Sequence, residues 1–210
     1  EKHIQIIPQK SKGLYKSKNR LIEKEFADSL EIPTVNFKEL QQKDDIFIPS
    51  IIKTTTGGYD GKGQYRILSP EDIDHFCKSA QTQYVIEELL EFDYEISVIA
   101  SRDQFKNIVT YPIPVNTHRN GILYESNLSR KLPPLISRKA IEYTKRIISN
   151  LDYVGTMAVE YFVKGENVIF NEFAPRPHNS GHYSIEGCNV SQFENHIFAI
   201  SNKKVIEPKL

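Results

Sequence analysis

Four of the chain's ten glycines fall within seven residues, in K-T-T-T-G-G-Y-D-G-K-G-Q at positions 53–64. Glycine reaches positive φ and lets the backbone come close to a ligand, so successive N–H groups in such a loop can cradle phosphate oxygens. Lys53, ending an apolar strand-like run, and Lys62, inside the loop, supply positive charge. The spacing is neither G-x-x-x-x-G-K-[ST] nor G-x-G-x-x-G, so the segment is not a Walker A loop or a dinucleotide fingerprint. A plain hairpin turn closed by Gly-Gly or Asp-Gly is the alternative.

A length of 210 residues suits one domain or two small lobes with a real core. Lysine plus arginine balance aspartate plus glutamate, 27 against 27, so no global field draws the chain to nucleic acid or an anionic membrane, and neither partner is expected. No apolar run approaches the roughly 20 residues of a spanning helix, and the charged start is not a signal peptide. Cys77 and Cys188 form no metal or disulfide pattern, and a cytoplasmic setting is expected. The opening E-K-H-I-Q, without Met, reads as the middle of a longer protein.

Periodicity and capping signals predict an α+β chain. A helix is expected over 17–30, capped by Ser17, and a strand over 46–52 leading into the glycine loop. S-P-E-D at 69–72 opens a helix to about residue 80. Strands follow at 84–90, 95–101 and 107–113. An amphipathic helix spans 137–151, and two strands, 157–163 and 167–173, flank a turn at Gly165. A capping box, S-Q-F-E at 191–194, opens a last helix to about residue 200.

The strands about Gly165 carry Glu160 and Glu172 on otherwise apolar text. They are direct partners if the loop is Gly165, Glu166 and Asn167; a two-residue loop would turn them to opposite faces. Like charges across a ladder repel, and a divalent cation removes the objection, with Asn171 able to add an amide oxygen. Two solvated surface glutamates are the alternative. A-P-R-P-H-N-S-G-H follows, where Arg176 offers a fork to bicarbonate, carboxylate or phosphate and His178 a donor or proton shuttle. An ordinary polar loop, or metal ligation by His178 and His182, stays open there. Glu87 and Glu88, then Glu95, sit where the lobes would meet, as nucleotide contacts or as surface charge. Arg20 and His118 are ambiguous alone.

A lysine strand, glycine lid, acidic hinge and paired carboxylates, in that order, resemble the plan of the ATP-grasp superfamily. The glycine loop, Y-P-I-P-V-N-T-H-R-N-G-I-L, and N-E-F-A-P-R-P-H-N-S-G-H with the text after it are similar to signatures of the 5-(carboxyamino)imidazole ribonucleotide synthase family. That resemblance implies two α+β lobes holding ATP between them, with the family's N-terminal nucleotide-fold domain and C-terminal segment expected outside this chain. It divides the chain into residues 1–25 as a linker and first helix, 26–86 as the small lobe and 87–210 as the large lobe. It implies an ATP-dependent ligase that carboxylates 5-aminoimidazole ribonucleotide with bicarbonate, with Mg2+ or Mn2+, as a homodimer. By motif, Arg20, Lys53 and the lid Gly58, Tyr59, Asp60, Gly61, Lys62, Gly63 and Gln64 would meet the phosphates. Glu87, Glu88 and Leu90 would line the adenine hinge, Glu95 would take the ribose, and His118 would lie beside the nucleotide. Glu160 and Glu172 would hold the metal beside Asn171. Tyr59, Asp60 and Lys62 would meet the ribonucleotide, and Arg176 and His178 would position bicarbonate. An ATP-binding module without turnover, and another ATP-grasp ligase, are the alternatives.

Overall fold

The computed structural model describes residues 12–57, 63–79, 82–119 and 121–210. Two short helices open the described chain, α1 (Lys12–Ser17) and α2 (Arg20–Ser29). The cap of α2 is Asn19, whose Oδ1 accepts from the backbone N–H of Leu21 and Ile22 at 3.0 and 3.2 Å. Ser17 instead ends α1, its hydroxyl donating to Leu14 O. The single helix expected over 17–30 is therefore two, because the better-placed side-chain acceptor lies two residues on.

A four-stranded antiparallel sheet follows, from β1 (Phe37–Leu40), β2 (Ser50–Thr54), β3 (Gln64–Ile67) and, after helix α3 (Pro70–Ser79), β4 (Tyr84–Glu88), in the order β1-β4-β2-β3. Ile52, Ile67, Tyr84 and Ile86 form a small core with Phe76 of α3, whose ring meets Tyr84 edge-on at 5.0 Å. Residues 46–49, expected as strand, lie outside β2, whose ladder to β4 begins at Ser50.

The second sheet has six strands: β5 (Tyr94–Arg102), β6 (Ile108–Thr110), β7 (Val115–Arg119), β8 (Ile122–Asn127), β9 (Gly155–Lys164) and β10 (Asn167–Ala174), ordered β10-β9-β5-β7-β8 with β6 also on β5. Strand alternation sorts its two faces. Ile96, Val98, Val159 and Tyr161 turn to a core covered by helix α4 (Pro134–Asn150), through Ile136, Ala140, Ile147 and Ile148. Helices α5 (Ser184–Gly187) and α6 (Gln192–Ile200) complete the chain, and the expected capping box of Ser191 with Glu194 opens α6. Phe26, Ala27 and Ile32 belong to this larger core, and the small sheet continues to Glu88.

The β9–β10 hairpin corrects one expectation and keeps its consequence. Lys164 pairs with Asn167, so the turn is two residues, Gly165 and Glu166. Strict alternation would then separate Glu160 from Glu172, but a bulge between Phe170 and Glu172 shifts the register and makes them direct partners. The extra residue is Asn171. It lets Phe170 and Phe173 both enter the core while Glu172 stays exposed.

Candidate active site

A cleft of about 1210 Å³ lies between the two sheets and gathers most of the residues singled out from sequence. Its small-sheet wall carries Lys53, Gln64 and Glu87, and its large-sheet wall carries Glu95, His118, Glu160, Asn171 and Glu172. Arg20, Glu88, Leu90, Arg176 and His178 line the cleft as well. Gly63 takes φ of +73° and its carbonyl accepts from Thr54 N at 2.9 Å, closing the base of the glycine segment. Gly58, Tyr59, Asp60, Gly61 and Lys62 lie outside the described residues.

On the small-sheet wall, Lys53 Nζ stands 2.9 Å from Glu87 Oε2, and Lys24 Nζ of α2 stands 3.3 Å from the same oxygen. Burial pushes the Glu87 carboxyl up, but the two lysines outweigh it and hold the group below its ordinary value. No donor among the described residues reaches Glu87 Oε1. Glu87 is thus a buried counter-charge to both lysines. Glu88 behaves differently: its Oε2 accepts from Asn36 Nδ2 at 2.8 Å. Beyond it Leu89 and Leu90 form an apolar strip, with Phe92 stacked on Phe162 at 4.5 Å. Arg20 bonds the small sheet through Nη1 to Thr54 O at 3.0 Å and its backbone N–H to Thr55 O at 2.9 Å.

On the opposite wall Glu160 and Glu172 face each other across the ladder. Burial first, then the charge of Glu172, push the Glu160 carboxyl up to about 8. His118 Nδ1 sits 2.9 Å from Glu95 Oε2, and the proximity of that carboxylate raises the imidazole despite burial. Among the described residues no group of three or more His, Cys, Asp or Glu is arranged to hold a metal ion by itself. Two facing carboxylates are a donor set that Mg2+ could complete with phosphate oxygens and water.

His178 caps the short turn at residues 179–181, and its Nδ1 lies 2.9 Å from Ser180 Oγ. Its Nε2 stands 3.6 Å from Glu160 Oε1. Burial, then the charge of Arg176, lower this imidazole to about 4, so it is neutral at physiological pH. The loop is held from beneath by the fully buried Gln192, whose Oε1 accepts from His178 N at 2.9 Å and whose Nε2 donates to His178 O at 2.7 Å. Arg176 Nη1 donates to Pro177 O at 3.0 Å.

Sequence reasoning missed Glu23, Lys24 and Gln192. Glu23 is 3% exposed and its Oε1 accepts from Phe173 N at 2.7 Å. Arg20, Glu23 and Lys24 have the i, i+3, i+4 spacing of one helix face, which was the available signal.

Two α+β layers enclosing a cleft with lysines on one wall and facing glutamates on the other make this an ATP-grasp fold. The ATP-grasp domain family matches residues 25–193, and the chain belongs to that family. It is 36% identical over 208 residues to the N5-carboxyaminoimidazole ribonucleotide synthase of Staphylococcus aureus (strain MRSA252), covering 95% of this chain and 55% of that protein. A crystal structure of an N5-carboxyaminoimidazole ribonucleotide synthetase in complex with ADP superposes with a TM-score of 0.91 at 39% identity, over 97% of this chain and 56% of the other. The Aspergillus clavatus synthase, solved with ADP and 5-aminoimidazole ribonucleotide, gives 0.82 at 25%, over 92% and 53%. The chain spans about half the length of the curated relatives it matches.

Proposed function

We propose that the protein carboxylates 5-aminoimidazole ribonucleotide with bicarbonate at the expense of ATP, in purine biosynthesis. The observation that carries the reading is the cleft, where phosphate-type cations and facing carboxylates stand beside a neutral histidine and an arginine. The kinship with N5-carboxyaminoimidazole ribonucleotide synthases over 95% of the chain supplies the substrate class.

Arg20 and Lys53 bind the ATP phosphates, and the strip from Glu88 to Leu90 takes the adenine. Glu95 takes the ribose, with His118 holding its carboxylate in place. Glu160 and Glu172 hold Mg2+ or Mn2+, with Asn171 adjacent. Two carboxylates on facing ladder positions, one pushed up to about 8, support that assignment, since a divalent cation would relieve them. The bound ion neutralises charge on the phosphates.

Arg176 holds bicarbonate through its guanidinium fork. A bicarbonate oxygen attacks the γ-phosphorus, the bond to the β-phosphate oxygen breaks, and carboxyphosphate and ADP form. The exocyclic amine of the ribonucleotide then attacks the carboxyl carbon, expelling phosphate. His178, neutral and with Nδ1 accepting from the Ser180 backbone N–H, carries its proton on Nε2 and so offers a donor to bicarbonate and carboxyphosphate. Tyr59, Asp60 and Lys62, in the glycine segment, are assigned to the ribonucleotide. A cytoplasmic homodimer accompanies this reading; no helix among the described residues is long and apolar enough to cross a membrane.

The test is ADP release by this chain with ATP, Mg2+ and bicarbonate, with and without the ribonucleotide. Stimulation by the ribonucleotide is expected. Nucleotide binding with no release would replace the reading by a binding module.

A further inference from the structure

Lys53 has two claims on it. As a phosphate ligand it must turn into the cleft, yet its Nζ lies 2.9 Å from Glu87 Oε2, and both residues line the cleft wall. A carboxylate as buried as Glu87, 2% exposed, cannot be left without a cation at small cost. If Lys53 were its sole partner, every gain from a Lys53–phosphate contact would be opposed by the loss of the Glu87 contact.

Lys24 removes that conflict. Its Nζ sits 3.3 Å from the same Oε2, and its side chain is 2% exposed. It reaches the site from α2, on the core side of the wall, and is anchored there by Asn171 O at 3.3 Å and by the Phe170 ring at 5.9 Å. Those anchors belong to the bulged strand of the large sheet, so Lys24 is tied in place and cannot follow Lys53 into the cleft. A rigid cation and a cation facing the cleft share one oxygen.

On the ATP-binding reading given above, we infer that Lys24 is a positioning residue: it stays with Glu87 as the resident counter-ion and so releases Lys53 to the nucleotide phosphates. A lysine serving only to fasten α2 to the sheets would affect all ligands of the cleft alike. A resident counter-ion affects only ligands that call Lys53 away from Glu87.

Isothermal titration of ATP and of adenosine, which has no phosphate, separates the two roles in Lys24→Met, Glu87→Gln and the double variant. Lys24→Met is expected to weaken ATP binding about tenfold or more while adenosine changes less than about twofold. In the double variant no carboxylate is stranded, so its ATP affinity should match that of Glu87→Gln alone within about threefold. Equal losses for ATP and adenosine in Lys24→Met would overturn the inference, as would a further tenfold loss of ATP affinity in the double variant relative to Glu87→Gln. The double variant carries the test if Lys24→Met does not fold. A chain that shows the expected pattern but never releases ADP would retire the carboxylation reading and leave the role of Lys24 standing.

Discussion

Gly181→Ala is the substitution whose effect can be worked most directly from the coordinates. A Cβ built there would stand 2.7 Å from Gln192 Oε1, 2.8 Å from its Cδ and 2.9 Å from its Nε2. That amide cannot retreat freely, since Gln192 is fully buried and its backbone N–H is bound to Ser184 Oγ at 3.0 Å. Ser184 Oγ in turn donates to Gly181 O at 2.6 Å. The methyl group therefore breaks both bonds from Gln192 to the His178 backbone. Two lost hydrogen bonds, with their polar groups left buried, cost about 3 kcal/mol, or roughly 6–12 °C in melting temperature for a chain of this size. Gly187→Ala is the control: its Cβ would meet nothing within 4 Å. Both variants gain the same stiffening of the unfolded chain, about 0.4–1 kcal/mol, so their difference isolates the clash. Thermal unfolding measures that difference, and bicarbonate KM reports the displacement of His178. A Gly181→Ala melting temperature within about 2 °C of the control would refute the clamp argument.

Lys53→Ala is expected to weaken ATP binding, whereas Arg176→Ala should spare it and abolish bicarbonate-dependent ADP release; equal losses of nucleotide affinity would contradict that division. Because the Glu160 carboxyl rises from 4.5 to about 8 on folding, the folded chain holds that proton where the unfolded chain has lost it. Melting temperature in a metal chelator should fall as pH rises from about 4.5 to 8, and Glu160→Gln should flatten that slope; an unchanged slope would show that Glu160 is not its source. Glu172→Gln removes one of the two facing carboxylates, so stabilisation by Mg2+ in thermal unfolding should vanish. Retained Mg2+ stabilisation would show that the facing pair does not hold the metal.

Local signals in the sequence led to the right local structures. The helix after S-P-E-D and the one after S-Q-F-E were legible because a cap is satisfied within four residues. Ser17 and Asn19 are both capping types, and only the fold decides which chain direction leads into α2. Strands β7 and β8 escaped notice because V-N-T-H-R and I-L-Y-E-S-N are half exposed and lack an apolar run. Glu160 and Glu172 were paired correctly for a wrong reason, since a two-residue turn and a bulge together mimic a three-residue loop. Lys24 and Glu23 were passed over as site residues, despite sharing a helix face with Arg20, because charges in an amphipathic helix ordinarily read as solvent-facing. Their burial depends on β4 and β10, partners remote in sequence.

The central claim, that this cleft phosphorylates bicarbonate, is tested most directly by the fate of an oxygen atom. The chain is supplied with ATP, Mg2+, the ribonucleotide and 18O-labelled bicarbonate, and the phosphate formed is analysed by mass spectrometry. Attack of bicarbonate on the γ-phosphorus leaves one bicarbonate oxygen in each phosphate released, so singly labelled phosphate in step with ADP is predicted. ADP release accompanied by unlabelled phosphate would mean that water attacks instead, and would contradict the account.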